Sequence, residues 1–138
     1  MAKHDRFTYD VGTLKVGKID RAKIEQKYEE PGEYLVCSDE LADNHVKGQI
    51  LESLWAFNSD FLSNITGLDL EVFEKLAGLS EAANEAVKVL VKSTCGLDYL
   101  VEQAVAADGR GNFLASYDAE ELEFKLRSGK TVYLYRCN

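Results

Sequence analysis

At 138 residues, with 46% hydrophobic and 10% aromatic side chains, the chain is long enough for one domain with a real core and too short for two ordinary ones. Thirteen Phe and Tyr residues and one Trp exclude wholesale disorder, and no apolar run approaches the roughly 18–20 residues of a membrane-spanning helix. The net charge of −8 is concentrated in residues 37–123, which hold seventeen acids against five bases, while residues 1–36 balance and the last fifteen carry four bases and no acid.

A body this acidic repels nucleic acid and membrane surfaces and favours a basic partner. The opening MAKHDRFTYD has no apolar h-region, so no secretory signal is expected and the cytoplasm is the expected compartment. Cys37, Cys95 and Cys137 are odd in number and unpaired in spacing. They read as small core residues without a disulfide framework.

In chain order, Phe7, Tyr9 and Val11, then Leu14 and Val16, alternate around Gly12 and predict two short strands or one bulged strand. Ile19 to Glu30 is a charged segment with few apolar contacts, readable as a surface helix that Pro31-Gly32 ends. Glu33 to Cys37 is a brief strand. Ser38 is a candidate N-cap, with Asp39 and Glu40 in the first turn. From there a helix runs through Phe57 or Leu62, with Gly48 as its candidate break.

That helix is the expected centre of the core. Val46, Ile50, Leu54, Phe57 and Phe61 recur at steps of three and four, and Leu51, Trp55 and Leu62 widen the stripe. Its aromatic residues are expected to supply the largest share of buried surface. Three further helices follow, each with a cap and a stop. Asp69 caps the first, which buries Leu70, Phe73, Leu76 and Ala77 and ends at Gly78. Ser80 caps the second, which buries Ala83, Ala86, Val87, Leu90 and Val91 and stops at Gly96. Asp98 caps the third, which buries Leu97, Leu100, Val101, Ala104 and Val105 and stops at Asp108-Gly109.

After the loop DGRGNFLASYD, Leu122, Phe124 and Leu126 alternate with charged residues, Ser128-Gly129 turns the chain, and TVYLYR returns. This is a β-hairpin. The expected fold is α+β in a single domain, 1–138. A compact helical body of about four helices, residues 38–108, lies between an N-terminal β/short-helix segment, 1–37, and the loop and hairpin of 109–138. The N-terminal β element is expected to join the hairpin in a small antiparallel sheet.

The loop from Asp108 to Asn112 is the most distinctive stretch. It holds Gly109 and Gly111 but lacks the third glycine of a dinucleotide cradle, and it follows a helix where that motif needs a strand. As a calcium loop it puts Arg110 and Phe113 where a carboxylate and a glycine belong. The favoured reading is a helix stop followed by a turn into the hairpin; the other is a binding loop with Arg110 exposed at its tip. Asp118, Glu120, Glu121 and Glu123 read as a solvated acidic face, since no neighbouring base or metal-ligating histidine accompanies them. His4 and His45 have no second ligand at metal-site spacing. A Cys37–His45 nucleophilic pair matches no known spacing. Tyr117, Tyr133 and Tyr135, near Lys125, Arg127, Lys130 and Arg136, read as core cover ahead of a base-stacking surface.

The stretch ADGRGNFLASYDAEELEF…YLYRCN, with LWAFNSDFL upstream, resembles a group of small uncharacterised proteins of phages and other mobile elements. The resemblance spans the C-terminal two-thirds and carries no catalytic motif. It implies a context in which small acidic proteins bind host defence machinery, including restriction enzymes and CRISPR effectors, some by placing carboxylates where DNA phosphates would lie.

The resulting expectation is a non-catalytic binding protein of anti-restriction or anti-CRISPR type, acting in the host cytoplasm on a basic, nucleic-acid-handling host protein. No cofactor, metal or catalytic residue is expected. The candidate contacts are Glu52, Asp60, Glu71, Glu74, Glu81, Glu85, Glu102, Arg110, Asp118, Glu120, Glu121 and Glu123. The alternative is a self-associating phage accessory protein, a homodimer in the simplest case, using the open edge of TVYLYR. A small enzyme with a site at the Asp108–Asp118 loop ranks last.

Overall fold

The predicted hairpin forms as strands β3 (Leu122–Lys125) and β4 (Thr131–Arg136), with Phe124 opposite Val132 and Leu122 opposite Leu134. The turn closes by Gly129 N–H donating to Leu126 O at 2.9 Å, with Gly129 at φ 90°, a conformation glycine adopts without Cβ strain. The computed structural model describes residues 7–10 and 32–137. The expected strand residues Val11 to Val16, the expected helix over 19–30, and His4 lie outside the described residues.

Two more strands complete a four-stranded sheet of order β1-β2-β4-β3. Strand β2 (Gly32–Cys37) pairs antiparallel with β4, and β1 (Phe7–Asp10) pairs with β2 in parallel. The N-terminal strand thus joins as expected, but in parallel, so only β2, β4 and β3 are mutually antiparallel. Strand β4 is paired on both sides. The expected open edge of TVYLYR is therefore closed, and the hairpin's edge strand is β3.

Being central, β2 and β4 bury both faces, and period-two alternation sorts their residues. Tyr34, Val36, Val132 and Leu134 meet Leu126, Leu122 and Phe124 on one face. Leu35, Cys37, Tyr133 and Tyr135 meet Leu41, Ala42, Leu114 and Ala115 on the other. Tyr135 is fully buried and Cys37 nearly so. Tyr133 and Tyr135 therefore cover core, as the favoured reading has it, whereas Tyr117, grouped with them, is exposed.

Helix α1 (Asp39–Glu52) starts with Ser38 Oγ accepting from Leu41 N–H at 3.2 Å, so Ser38 is the N-cap. The helix does not continue to Leu62. It stops four residues past Gly48, which lies mid-helix with open space around its Cα. Ser53 Oγ instead donates to Gln49 O at 2.7 Å, and Ser53 N–H to Ile50 O at 3.1 Å, tightening the last turn into a 3₁₀ segment, Leu54–Ala56. Asn58 then caps α2 (Ser59–Thr66) by accepting from Asp60 and Phe61 N–H.

This break relocates the aromatic residues. Ile50, Leu54 and Leu62 are buried, while Trp55, Phe57 and Phe61 are only half-buried. The expected dominance of the tryptophan helix in the core is corrected accordingly: Phe73 is the large aromatic buried in the helical unit. Asn84 stabilises the break, accepting from Trp55 N–H at 3.2 Å and donating to Leu51 O at 2.9 Å.

Three more helices follow at the expected places, α3 (Leu70–Ala77), α4 (Asn84–Ser93) and α5 (Leu97–Asp108), and a short α6 (Arg110–Leu114). Val87, Val91, Leu100 and Ala104 are buried as the periodicity requires, but Leu70, Ala77 and Ala86 are exposed. Two expected caps are corrected. Ser80 begins a 3₁₀ turn (Ser80–Ala83) at φ 55°, so α4 starts at Asn84, and Asp98 lies inside the first turn of α5. Gly96 does end α4, at φ 91° with its N–H on Val91 O.

The chain forms two compact units, one from residues 1–46 with 108–138 and one from residues 47–107. The first holds the sheet, the start of α1 and α6. The second holds the rest of α1 and helices α2 to α5. No helix among the described residues is long and apolar enough to cross a membrane.

Candidate functional site

The DGRGN stretch builds the most connected polar cluster of the described residues, and it does so through its glycines. Gly109 takes φ 83° and ψ 154°, a region essentially reserved for glycine, which turns the chain sharply between α5 and α6. Gly111 is buried so tightly that an added Cβ would stand 2.6 Å from Ala119 O and 2.8 Å from Glu121 N. Between them, Arg110 is directed inward. The alternative reading, a binding loop with Arg110 exposed at its tip, is corrected: the side chain is 11% exposed.

Arg110 Nε donates to Glu121 Oε1 at 2.7 Å, and Nη1 donates to Asp39 Oδ1 at 2.8 Å, to Asp39 O at 3.2 Å and to Asp43 Oδ1 at 3.0 Å. Asp39 and Asp43 are four apart on α1 and so share a helix face. The guanidinium lies over the Tyr133 ring, 4.7 Å from its centroid. Tyr135, two residues along β4 on the same face, donates its phenolic proton to Glu121 Oε1. One planar cation thus joins the start of α1, the start of α6, the entry to β3 and the strand β4. Lysine could not make this set of bonds, because the forked donors and the flat stacking face are both used.

Electrostatics hold the protons of Arg110 and Tyr135 in place. Burial works against the Arg110 cation, yet its hydrogen bonds to Glu121 and Asp39 more than offset that, so its proton is held more tightly than usual. Burial, then the hydrogen bond to Glu121, push the Tyr135 phenol well above its ordinary value, against the pull of the Arg110 charge. Sequence reasoning missed this cluster because Asp39 and Asp43 are 71 and 67 residues from Arg110.

The other sequence candidates divide cleanly. Glu121 is exposed, as the reading of a solvated acidic face has it, and it also accepts from Arg110 and Tyr135. Asp118, Glu120 and Glu123 are exposed, with Asp118 Oδ1 accepting from Glu120 N–H at 3.1 Å. Glu52, Asp60, Glu71, Glu74, Glu81, Glu85 and Glu102 are all exposed on the unit of residues 47–107. Asp69 and Asp98 there are exposed too, so every acid of that unit faces water. Among the described residues, two of them enter ion pairs: Asp98 with Lys47 at 2.6 Å and Glu71 with Lys75 at 3.6 Å.

Cys37 is buried and His45 exposed, so the strand–helix junction does not present them as a pair. Cys95 is half-buried and Cys137 exposed. No group of three or more His, Cys, Asp or Glu among the described residues is placed to hold a metal ion. Arg136 lies over the Tyr117 ring at 3.9 Å, which turns part of the basic-aromatic surface toward itself. Scans against family models, curated proteins and solved structures each return no match to this chain.

Proposed function

We propose that this chain is a non-catalytic binding protein that docks the acidic surface of its helical unit on a basic, nucleic-acid-handling protein of a host cell. The observation that carries the reading is the placement of charge in residues 47–107. Nine acids against four bases lie there, and all nine acids are exposed. Of these, Asp98 and Glu71 make surface ion pairs, with Lys47 and Lys75, in contrast to Asp39, Asp43 and Glu121, which hold the inward-directed Arg110. Carboxylates held on helices form a fixed field, which speeds encounter with a basic surface and selects against acidic ones. The resemblance to small proteins of phages and mobile elements supplies the context of host defence, and an anti-restriction or anti-CRISPR role is the form the proposal takes.

The test uses the tagged chain to capture proteins from a bacterial lysate, with elution in rising salt. The expected result is a nucleic-acid-binding protein released by moderate salt. With that protein purified, reversal of Glu52, Asp60, Glu74 and Glu102 to lysine should abolish binding while circular dichroism stays unchanged. Affinity that survives the four reversals overturns the proposal.

A further inference from the structure

We infer that the apolar groove between α3 and α4 seats a second copy of this chain, through an isologous contact of the helical units. The groove has a volume of about 590 Å³ and is lined by Val72, Leu76, Ala86, Val89 and Leu90, with Lys75 as the one polar side chain. Val89 is 61% exposed and Val72 39%, so the groove offers aliphatic surface to water.

A small ligand is disfavoured, because specific small-molecule sites converge several polar groups on an apolar pocket and only Lys75 is present here. The rim charges choose between the remaining occupants. On α3 the rim carries Glu71 and Lys75, an exposed i,i+4 pair 3.6 Å apart. On α4, Glu85 and Lys92 stand one turn to either side of Val89, and both are exposed. Each helix therefore brings one acid and one base. A strongly basic helix would meet two lysines, and an acidic one would meet two glutamates. A second copy presents the same balanced set reversed by a two-fold axis, which is what a self-complementary patch requires. This surface is distinct from the hairpin, whose strand β4 has no free edge. The rim acids Glu71 and Glu85 also belong to the acidic face of the helical unit. The two readings are tested separately, since the reversals that test the docking surface lie at Glu52, Asp60, Glu74 and Glu102.

Sedimentation velocity under reducing conditions, which removes disulfide linkage through exposed Cys137, reads the association directly. From micromolar to millimolar concentration, the chain should shift from the mass of one copy to that of two. Val89→Glu should weaken the association by more than about tenfold with unchanged circular dichroism, since the side chain is already largely in water. Tyr99→Glu, at an exposed aromatic outside the groove, should leave it intact. A wild-type chain that stays monomeric at millimolar concentration overturns the inference. A dimer indifferent to Val89→Glu also overturns it.

Discussion

Arg110 and Glu121, eleven residues apart, meet through a 2.7 Å hydrogen bond, and the same carboxylate oxygen accepts the phenolic proton of Tyr135. That shared oxygen converts the loop between α5 and β3 from a mere connection into a lock. Arg110 is held by three carboxylates and a ring, which come from three places in the chain: Asp39 and Asp43 on α1, Glu121 before β3, and Tyr133 on β4. In this unit the polar cluster and the buried face of Tyr135, Cys37, Ala42 and Ala115 are adjacent layers of one structure. The residues with the strongest look of a binding loop are therefore spent on folding.

Truncating the arginine tests that assignment. Arg110→Ala leaves Glu121 and the Tyr135 hydroxyl partly buried with the cation gone, and should cost about 3 kcal/mol of stability. Arg110→Lys keeps the charge but loses the fork and the stacking on Tyr133, and should cost about 1–2 kcal/mol. Urea unfolding measures both. Capture of the proposed partner should be unaffected by Arg110→Lys at temperatures where the variant is folded. Equal stability of Arg110→Ala and the wild type would show that the cluster is decoration.

Tyr135 gives the fold an alkaline limit. In the unfolded chain its phenol ionises near its ordinary value of 10.0, whereas in the fold burial and Glu121 hold the proton to higher pH. Above pH 10 the unfolded state thus binds fewer protons than the folded one, and stability falls as pH rises; below it, this group contributes no slope. Tyr135→Phe should lower stability at neutral pH by about 1–2 kcal/mol, through the lost hydrogen bond. It should also make the alkaline decline shallower. Urea midpoints taken from neutral pH to beyond pH 10 would show both effects.

Local patterns were legible in the sequence and long-range polar contacts were not. Leu122, Phe124, Val132 and Leu134 announce the hairpin by alternation, and Gly96 announces the end of α4, because both are decided by neighbours within a few residues. The acids placed on exposed faces of α2 to α5 were readable for the same reason. The partners of Arg110 were not, since nothing local distinguishes Asp39 from an ordinary first-turn acid, or Asp43, in the next turn, from a solvated one. The end of α1 was misplaced because Gly48 carries the weaker helix propensity, whereas a serine hydroxyl and a distant asparagine make the break. The parallel direction of β1 is likewise set by a partner strand, which its own four residues do not reveal.

The two glycines on either side of this misreading should respond oppositely to alanine. At Gly111 a Cβ would lie 2.6 Å from a backbone oxygen and 2.9 Å from Glu120 C, so backbone must move. Gly111→Ala should cost on the order of 3 kcal/mol, and it should loosen the Arg110 cluster with it. At Gly48, in the middle of α1, nothing lies within 4 Å of the same added atom. Gly48→Ala should stabilise by roughly 0.5–1 kcal/mol through helix propensity and reduced freedom of the unfolded chain. Thermal or urea unfolding of the two variants decides. A destabilised Gly48→Ala would mean that the helix does bend there.

Asn84 offers the sharpest test of how α1 ends. Its amide accepts from Trp55 N–H and donates to Leu51 O, so one side chain satisfies a donor and an acceptor that the broken helix leaves over. Asn84→Ala should cost about 1–3 kcal/mol, because both backbone groups are then left unpaired at a half-buried site. Asn84→Asp separates the two bonds. The carboxylate still accepts from Trp55 N–H but sets a negative oxygen against Leu51 O, so it should destabilise at neutral pH. Protonation restores a donor, and the deficit should shrink as pH falls toward the ordinary aspartate value of about 3.9. Trp55 is the only tryptophan of the chain, so its fluorescence reports this junction without a label. If Asn84→Asp fails to recover on acidification while Asn84→Ala remains destabilised, the bond to Trp55 dominates and the donation to Leu51 O contributes little.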